Sequence, residues 1–269
     1  MVVLGNLAVF PAMLLALWPT PSVAIINGLP ANVDDFRSYV SIRVISPFPS
    51  HEGREINGCG GTLVAPQWVL TALHCKASFE GADQEDSAVF VGVGIQHDGT
   101  FAARLRVVEV RFAPVGLGSA RLDAALLRLE SDATNHGAEV ALLFEGEIAV
   151  GLETTTVGIG QGIEGSLLEY YNSRVADPAL CNMSRVDFDP AHDFCVGIVG
   201  STQRTGYGDS GGPLFVSHTA LPARHYLAGV VKGGVLAGLS GAEETEFIRY
   251  TDVTSLRTWI DRVVSSQEQ

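Results

Sequence analysis

The 269-residue chain reads as all-β, closed by one helix near its C-terminal end. Two observations carry this reading. Apolar residues repeat with a period of two, most clearly from Tyr39 to Ile45, where Val40, Ile42 and Val44 share one face of a half-buried strand. Helical spacing is convincing only once, at Val253, Leu256, Trp259, Ile260 and Val263, with Thr254 or Asp252 as the candidate cap. The length suits one large β unit or two small domains and is ample for a sizeable core.

Charge and composition narrow the partners. Lys and Arg number 17 against 30 Asp and Glu, a net charge of −13, which argues against nucleic acid, whose phosphates reward clustered cations. Residues 1–24 carry no charged side chain and end in Ser22-Val23-Ala24, small residues at the positions a signal peptidase reads. Their apolar run is broken by Pro11 and is short for a membrane span of about 20 residues. No basic residue marks the start, which leaves an uncleaved anchor or a misassigned start codon as competing readings. A cleaved signal makes the product secreted, extracellular or periplasmic, with no membrane attachment afterwards. Secretion permits disulfides, and Cys59, Cys75, Cys181 and Cys195 allow three pairings.

Taken in order, Ile25-Ile26-Asn27-Gly28 follows the signal site directly. Residues 46–57, rich in Pro, Ser, Gly and charge, are expected to form a surface loop. Two β-prone runs, starting at Cys59 and at Gln67, lead into Thr71-Ala72-Leu73-His74-Cys75; a Cys59–Cys75 bridge would hold His74 against the sheet. From Phe90 to Arg111 further strands are expected. Leu105 and Val107, then Val108, Val110 and Phe112, keep period two but change phase, which predicts a bulge. Asp123 precedes the apolar run Ala124-Ala125-Leu126-Leu127, where a carboxylate is costly to bury unless paired; the Nδ1–H of His74 would pair it. Residues 131–139 are a polar link between two halves. Cys181 and Cys195 flank a polar loop and are expected to pair, and Asn182-Met183-Ser184 is a glycosylation sequon. The other histidines, including His51, His97, His136, His192, His218 and His225, are taken as structural or solvated.

The stretch Gly206-Tyr207-Gly208-Asp209-Ser210-Gly211-Gly212-Pro213 sets one serine between glycines. A serine is a weak nucleophile without a general base and an oxyanion site. The flanking glycines let the backbone turn and aim the N–H groups of Gly208 and Ser210 at a bound carbonyl. Beyond it, Leu227 to Gly234 is a strand whose backbone could pair with an extended substrate.

The Gly-Asp-Ser-Gly-Gly-Pro run, Thr-Ala-Leu-His-Cys and the Asp123 strand together resemble the trypsin-like serine proteases, over Ile25 to about Val264. The resemblance implies two six-stranded antiparallel β-barrels, about 25–135 and 136–269, with a C-terminal helix and a cleft between the barrels. It implies a secreted serine endopeptidase with His74 as general base, Asp123 orienting it and Ser210 attacking a peptide carbonyl. Gly208 and Ser210 would form the oxyanion hole. Ile25, once freed as an amino terminus, would pair with Asp209. Arg204, Lys232, Gly233 and Gly234 fall at substrate-binding positions. Neither a cofactor nor a metal is implied, because Gly94 to Gly99 lacks the glutamates of the family's calcium loop. Polypeptide substrates and protein protease inhibitors are the expected partners of a monomer. An inactive homologue acting as a binding module, or an esterase of the same fold, are the alternatives.

Three departures from the pattern matter. The disulfide bracing the specificity pocket is absent, with Gly206 and Ala237 in its places. The usual Ser-Trp-Gly reads Lys232-Gly233-Gly234, so a cation replaces a serine that supports the aspartate. The pocket base carries Arg204 instead of an aspartate, which speaks against cleavage after Lys or Arg; a bulky Ile248 could alternatively narrow the pocket.

Overall fold

A computed structural model describes residues 25–45, 52–81, 84, 89–114, 122–163, 165–181, 188–218, 221–237 and 245–266. The expected signal segment 1–24, His51 and the Asn182 sequon lie outside the described residues. A two-residue strand β1 (Leu29–Pro30) comes first. Six strands then close a barrel: β2 (Tyr39–Ile45), β3 (Glu55–Ala65), β4 (Trp68–Thr71), β5 (Phe90–Ile95), β6 (Phe101–Phe112) and β7 (Ala125–Leu129). All their pairings are antiparallel, in the order β2-β3-β4-β7-β6-β5. The register breaks between Val107 and Glu109, where the change of phase predicts a bulge.

The second sheet holds β8 (Leu142–Leu143), β9 (Glu153–Gly158), β10 (Glu169–Arg174), β11 (Asp193–Val196), β12 (Pro213–His218), β13 (Leu221–Ala237) and β14 (Thr245–Asp252). Its main path runs β10-β9-β12-β13-β14-β11, and a bridge between Val175 and Val196 joins its ends. That bridge turns six strands into a second ring. Strand β1 adds to β10, and β8 adds to β13 in parallel. The division expected near residue 135 therefore has a crossing: the first strand among the described residues, β1, pairs with the second barrel.

Two expectations change in detail. The period of two in β2 suggests one buried face, yet Tyr39, Ser41 and Arg43 are as fully buried as Val40 and Ile42. Their face meets the second barrel, as the bond from Arg43 Nη1 to the Gly162 carbonyl (3.1 Å) shows. The same contact shortens the loop expected over 46–57: Glu55 to Asn57 are already in β3, with Glu55 accepting from Arg43 Nε (3.0 Å).

Short helices α1 (Lys76–Phe79) and α2 (Pro178–Cys181) precede α3 (Val253–Ser265). Of the two candidate caps for α3, Asp252 takes the role, accepting from the Thr254 N–H (2.8 Å). Val253, Leu256 and Ile260 turn into the main core. Disulfides join Cys59 to Cys75 and Cys181 to Cys195. Because Leu256 is fully buried, Leu256→Ala should cost about 2–5 kcal/mol. Urea denaturation should show a lower midpoint at an unchanged slope; an unchanged midpoint would mean that α3 does not pack as described.

Candidate active site

His74 lies in the 3-10 turn Leu73–Cys75 that follows β4, and the Cys75 bridge to β3 limits its movement. Its Nδ1 is 2.7 Å from Asp123 Oδ2, and its backbone N–H donates to Asp123 Oδ1 (2.8 Å). With Nδ1–H committed to the carboxylate, Nε2 is left as the proton acceptor. Burial pushes the Asp123 carboxyl up, but the His74 hydrogen bonds and the charges of His74 and Lys232 together hold it below the usual range.

Ser210 comes from the second barrel and is seated against the strand leading to His74. Its carbonyl accepts from the Gly60 N–H (2.8 Å). Gly211 has φ 76°, and a Cβ there would stand 2.2 Å from Thr71 Oγ1 and 3.0 Å from the Ala72 nitrogen. Only glycine allows this approach, which presses the serine turn onto Thr71-Ala72, two residues before His74. Gly208 has φ 90° and lies against the Gly160 carbonyl, where a Cβ would come within 2.4 Å. Among the described residues no carbonyl accepts from the N–H of Gly208 or Ser210.

Beneath the turn lies Asp209, fully buried. Its Oδ1 accepts from the Gly160 N–H (2.9 Å) and its Oδ2 from the Gly206 N–H (2.7 Å). Burial, reinforced by the charge of Glu169, outweighs these bonds and pushes its pKa up to about 7. Ile25 is buried close by, and its N–H acts on the Glu169 carboxyl. Glu169 thus stands between Ile25 and Asp209, held by the Ile25 N–H on one side and acting through its charge on Asp209 on the other. Ile26 bridges Arg204, its N–H donating to the Arg204 carbonyl (2.9 Å).

Arg204, Thr205, Tyr207, Ser210, Gly233 and Gly234 line a cavity of about 660 Å³. Lys232 does not: its ammonium turns away to Asp193 (2.7 Å). Ile248 is buried in the core of the second barrel. A larger depression, about 960 Å³ around Phe36, Tyr170 and His225, is lined by none of His74, Asp123 and Ser210. Among the described residues no cluster of three or more His, Cys, Asp or Glu could hold a metal.

The family model described as Trypsin matches residues 25–260. The chain belongs to the trypsin-like serine protease family. Its relatives include coagulation factor XII of Cavia porcellus, 30% identical over 78% of this chain and 37% of that protein. Mast cell protease 2 of Ovis aries is 30% identical over 77% of this chain and 78% of its own length. Chymotrypsin-like elastase family member 1 of Canis lupus familiaris is 27% identical over 92% and 95%. The chain thus spans little more than a third of the factor XII relative.

Against that family background, several residues have no motif to announce them. Asn57 Nδ2 donates to both the Gly160 carbonyl (2.7 Å) and the Gly208 carbonyl (2.8 Å), and Ser41 Oγ donates to Asn57 Oδ1 (2.6 Å). One buried amide of the first barrel therefore grips the serine turn of the second. Asp193 and Glu169 are likewise silent in the sequence, each no more than an acid at the first position of a strand.

The raised pKa of Asp209 sets a pH dependence. The folded chain holds this proton up to about pH 7, whereas the unfolded chain releases it near 3.8. The contribution to stability is therefore complete below about pH 4 and is lost as pH rises through 7, by up to about 4 kcal/mol. Protein with residues retained before Ile25 should lose stability over this window in chemical denaturation. Asp209→Asn should flatten that slope; an equal slope in the variant would contradict the assignment.

Proposed function

We propose that the chain is a secreted serine endopeptidase working through Ser210, His74 and Asp123. The observation that carries this reading is the His74–Asp123 pair at 2.7 Å, standing beside the turn that presents Ser210. In the reaction, Ser210 Oγ attacks the peptide carbonyl while His74 Nε2 takes its proton. The carbonyl oxygen becomes an oxyanion held by the Gly208 and Ser210 N–H groups. Collapse of this intermediate breaks the C–N bond, and His74 gives its proton to the leaving amine. Water then repeats the sequence on the acyl-enzyme and frees Ser210. Asp123 stays ionised throughout and stabilises the imidazolium.

Substrate choice follows from the cavity wall. Arg204 lines it, and a guanidinium binds a carboxylate in bidentate fashion, so an acidic or small residue before the cut is favoured over Lys or Arg. Activation follows from the buried segment at Ile25. Signal cleavage after Ala24 would create an ammonium at Ile25, in a pocket that already holds the Glu169 and Asp209 carboxyls. The positive charge would favour ionised Asp209 and so hold the Gly208–Ser210 backbone in its oxyanion-binding shape.

Ser210→Ala or His74→Ala should lower hydrolysis of peptide or ester substrates by about 10⁴–10⁶-fold, and the double variant should fall no further. Parental turnover by purified Ser210→Ala protein would overturn the triad. A fluorophosphonate label that reacts with Ser210 excludes an inactive homologue, and a peptide library separates protease from esterase.

Protein beginning at Ile25 should outperform protein with one added residue. An α-amine titrates ordinarily at about 7.7–8.0, and pairing raises that value. The benefit is complete below the ordinary value and is lost as pH rises through the raised one. Equal activity from free and acetylated termini would rule this activation out.

A further inference from the structure

We infer that Lys232, held in place by Asp193, is a positioning residue that sets the electrostatic environment of Asp123 and, through it, the basicity of His74. This rests on the triad reading above. The ammonium of Lys232 sits 2.7 Å from Asp193 Oδ2, with the two side chains only 11% and 3% exposed. A buried lysine without a partner is costly, and Asp193 meets that cost with a geometry of hydrogen-bond quality. The acid is itself fixed, since its Oδ2 also accepts from the Asp189 N–H (3.0 Å).

Strand pairing brings this pair beside the triad. Lys232 follows Val231, whose N–H donates to the Gly212 carbonyl and whose carbonyl accepts from the Gly211 N–H, both at 2.9 Å. The strand carrying the lysine therefore also holds the serine turn. Thr251 lies opposite Asp193 in the β11–β14 register and opposite Val230 in the β13–β14 register. Its Oγ1 donates to the Asp123 carbonyl (3.3 Å). The charge of Lys232 acts on Asp123 directly, favouring its ionised form. Arg249 on β14, across from Gly233, is the neighbouring cation on that side.

The combination has a chemical logic. His74 must become an imidazolium during the reaction, and Asp123 stabilises that charge. A bare cation behind Asp123 would weaken its field and repel the imidazolium. Asp193 offsets the cation, so the pair favours ionised Asp123 while part of its positive charge is cancelled before it reaches the imidazole. The two partners therefore act on His74 in opposite senses, which a purely structural role would not produce.

The test is an NMR titration of His74 in protein beginning at Ile25, assigned by comparison with His74→Ala. This reads the imidazole whether or not the protein hydrolyses anything. Asp193→Asn leaves the cation unopposed and should lower the His74 pKa by about half a unit or more. Lys232→Met removes the cation and should raise it, and Lys232→Met/Asp193→Asn should return it close to the parent value. The double variant buries no charge at this position, which guards against a failure of Asp193→Asn to fold. Titration curves that do not move, or that move in the same direction in both single variants, would overturn the inference. An inactive parent with displaced titrations would instead refute the protease reading and leave this one standing.

Discussion

A carboxyl buried beneath the turn that bears Ser210 is the constraint around which this molecule is arranged. Asp209 is fully enclosed and accepts two backbone N–H groups, yet these do not compensate for its burial. An uncompensated charge of this kind demands a partner, protonation or a rearrangement. Its neighbours make the demand sharper, since Glu169 adds a second acid and the buried Tyr39 hydroxyl is held in its neutral form by burial and by the charge of Asp209. The turn bearing Ser210 is thus built on a carboxyl that burial pushes toward its neutral form.

The second requirement is the seam between the barrels. His74 and Asp123 belong to the first barrel and Ser210 to the second, so their relation depends on contacts across the boundary. Those contacts are short and polar: Gly60 to Ser210, Asn57 to Gly160 and Gly208, Arg43 to Gly162. A backbone, amide or guanidinium hydrogen bond at each point leaves little freedom for one barrel to slide on the other. Glycine at 211 lets the two surfaces meet at backbone distance.

The all-β class, the strand from Tyr39 to Ile45, the phase change after Val107 and the helix at Val253 could be read in the sequence because each is a local pattern. The glycine-rich turn at Ser210 and the flanks of His74 and Asp123 are local too, as runs of unusual residues. What could not be read depends on partners distant in the chain. Asn57 is an ordinary polar residue until Gly208, 151 positions away, supplies a carbonyl. Lys232 stands out in sequence only as a departure from a family pattern. Its position suggested the substrate cavity, and it is Asp193, on another strand, that draws its side chain elsewhere. The full burial of Ser41 and Arg43 likewise needs the second barrel, which no periodicity within β2 can announce.

The pairing of Leu29 with Tyr170 has a consequence for how the chain is made. The six strands of the first barrel lie between Tyr39 and Leu129 and could close as soon as they leave the ribosome. The segment ahead of them cannot settle at that stage, because its edge partner β10 and its bridge partner Arg204 have not yet been synthesised. Closing so long a loop is slow and comes late, after the local contacts have formed. The leading residues must therefore wait outside a finished barrel and dock only when the second is assembled, so that the pocket under the Ser210 turn is among the last parts of the molecule to be sealed.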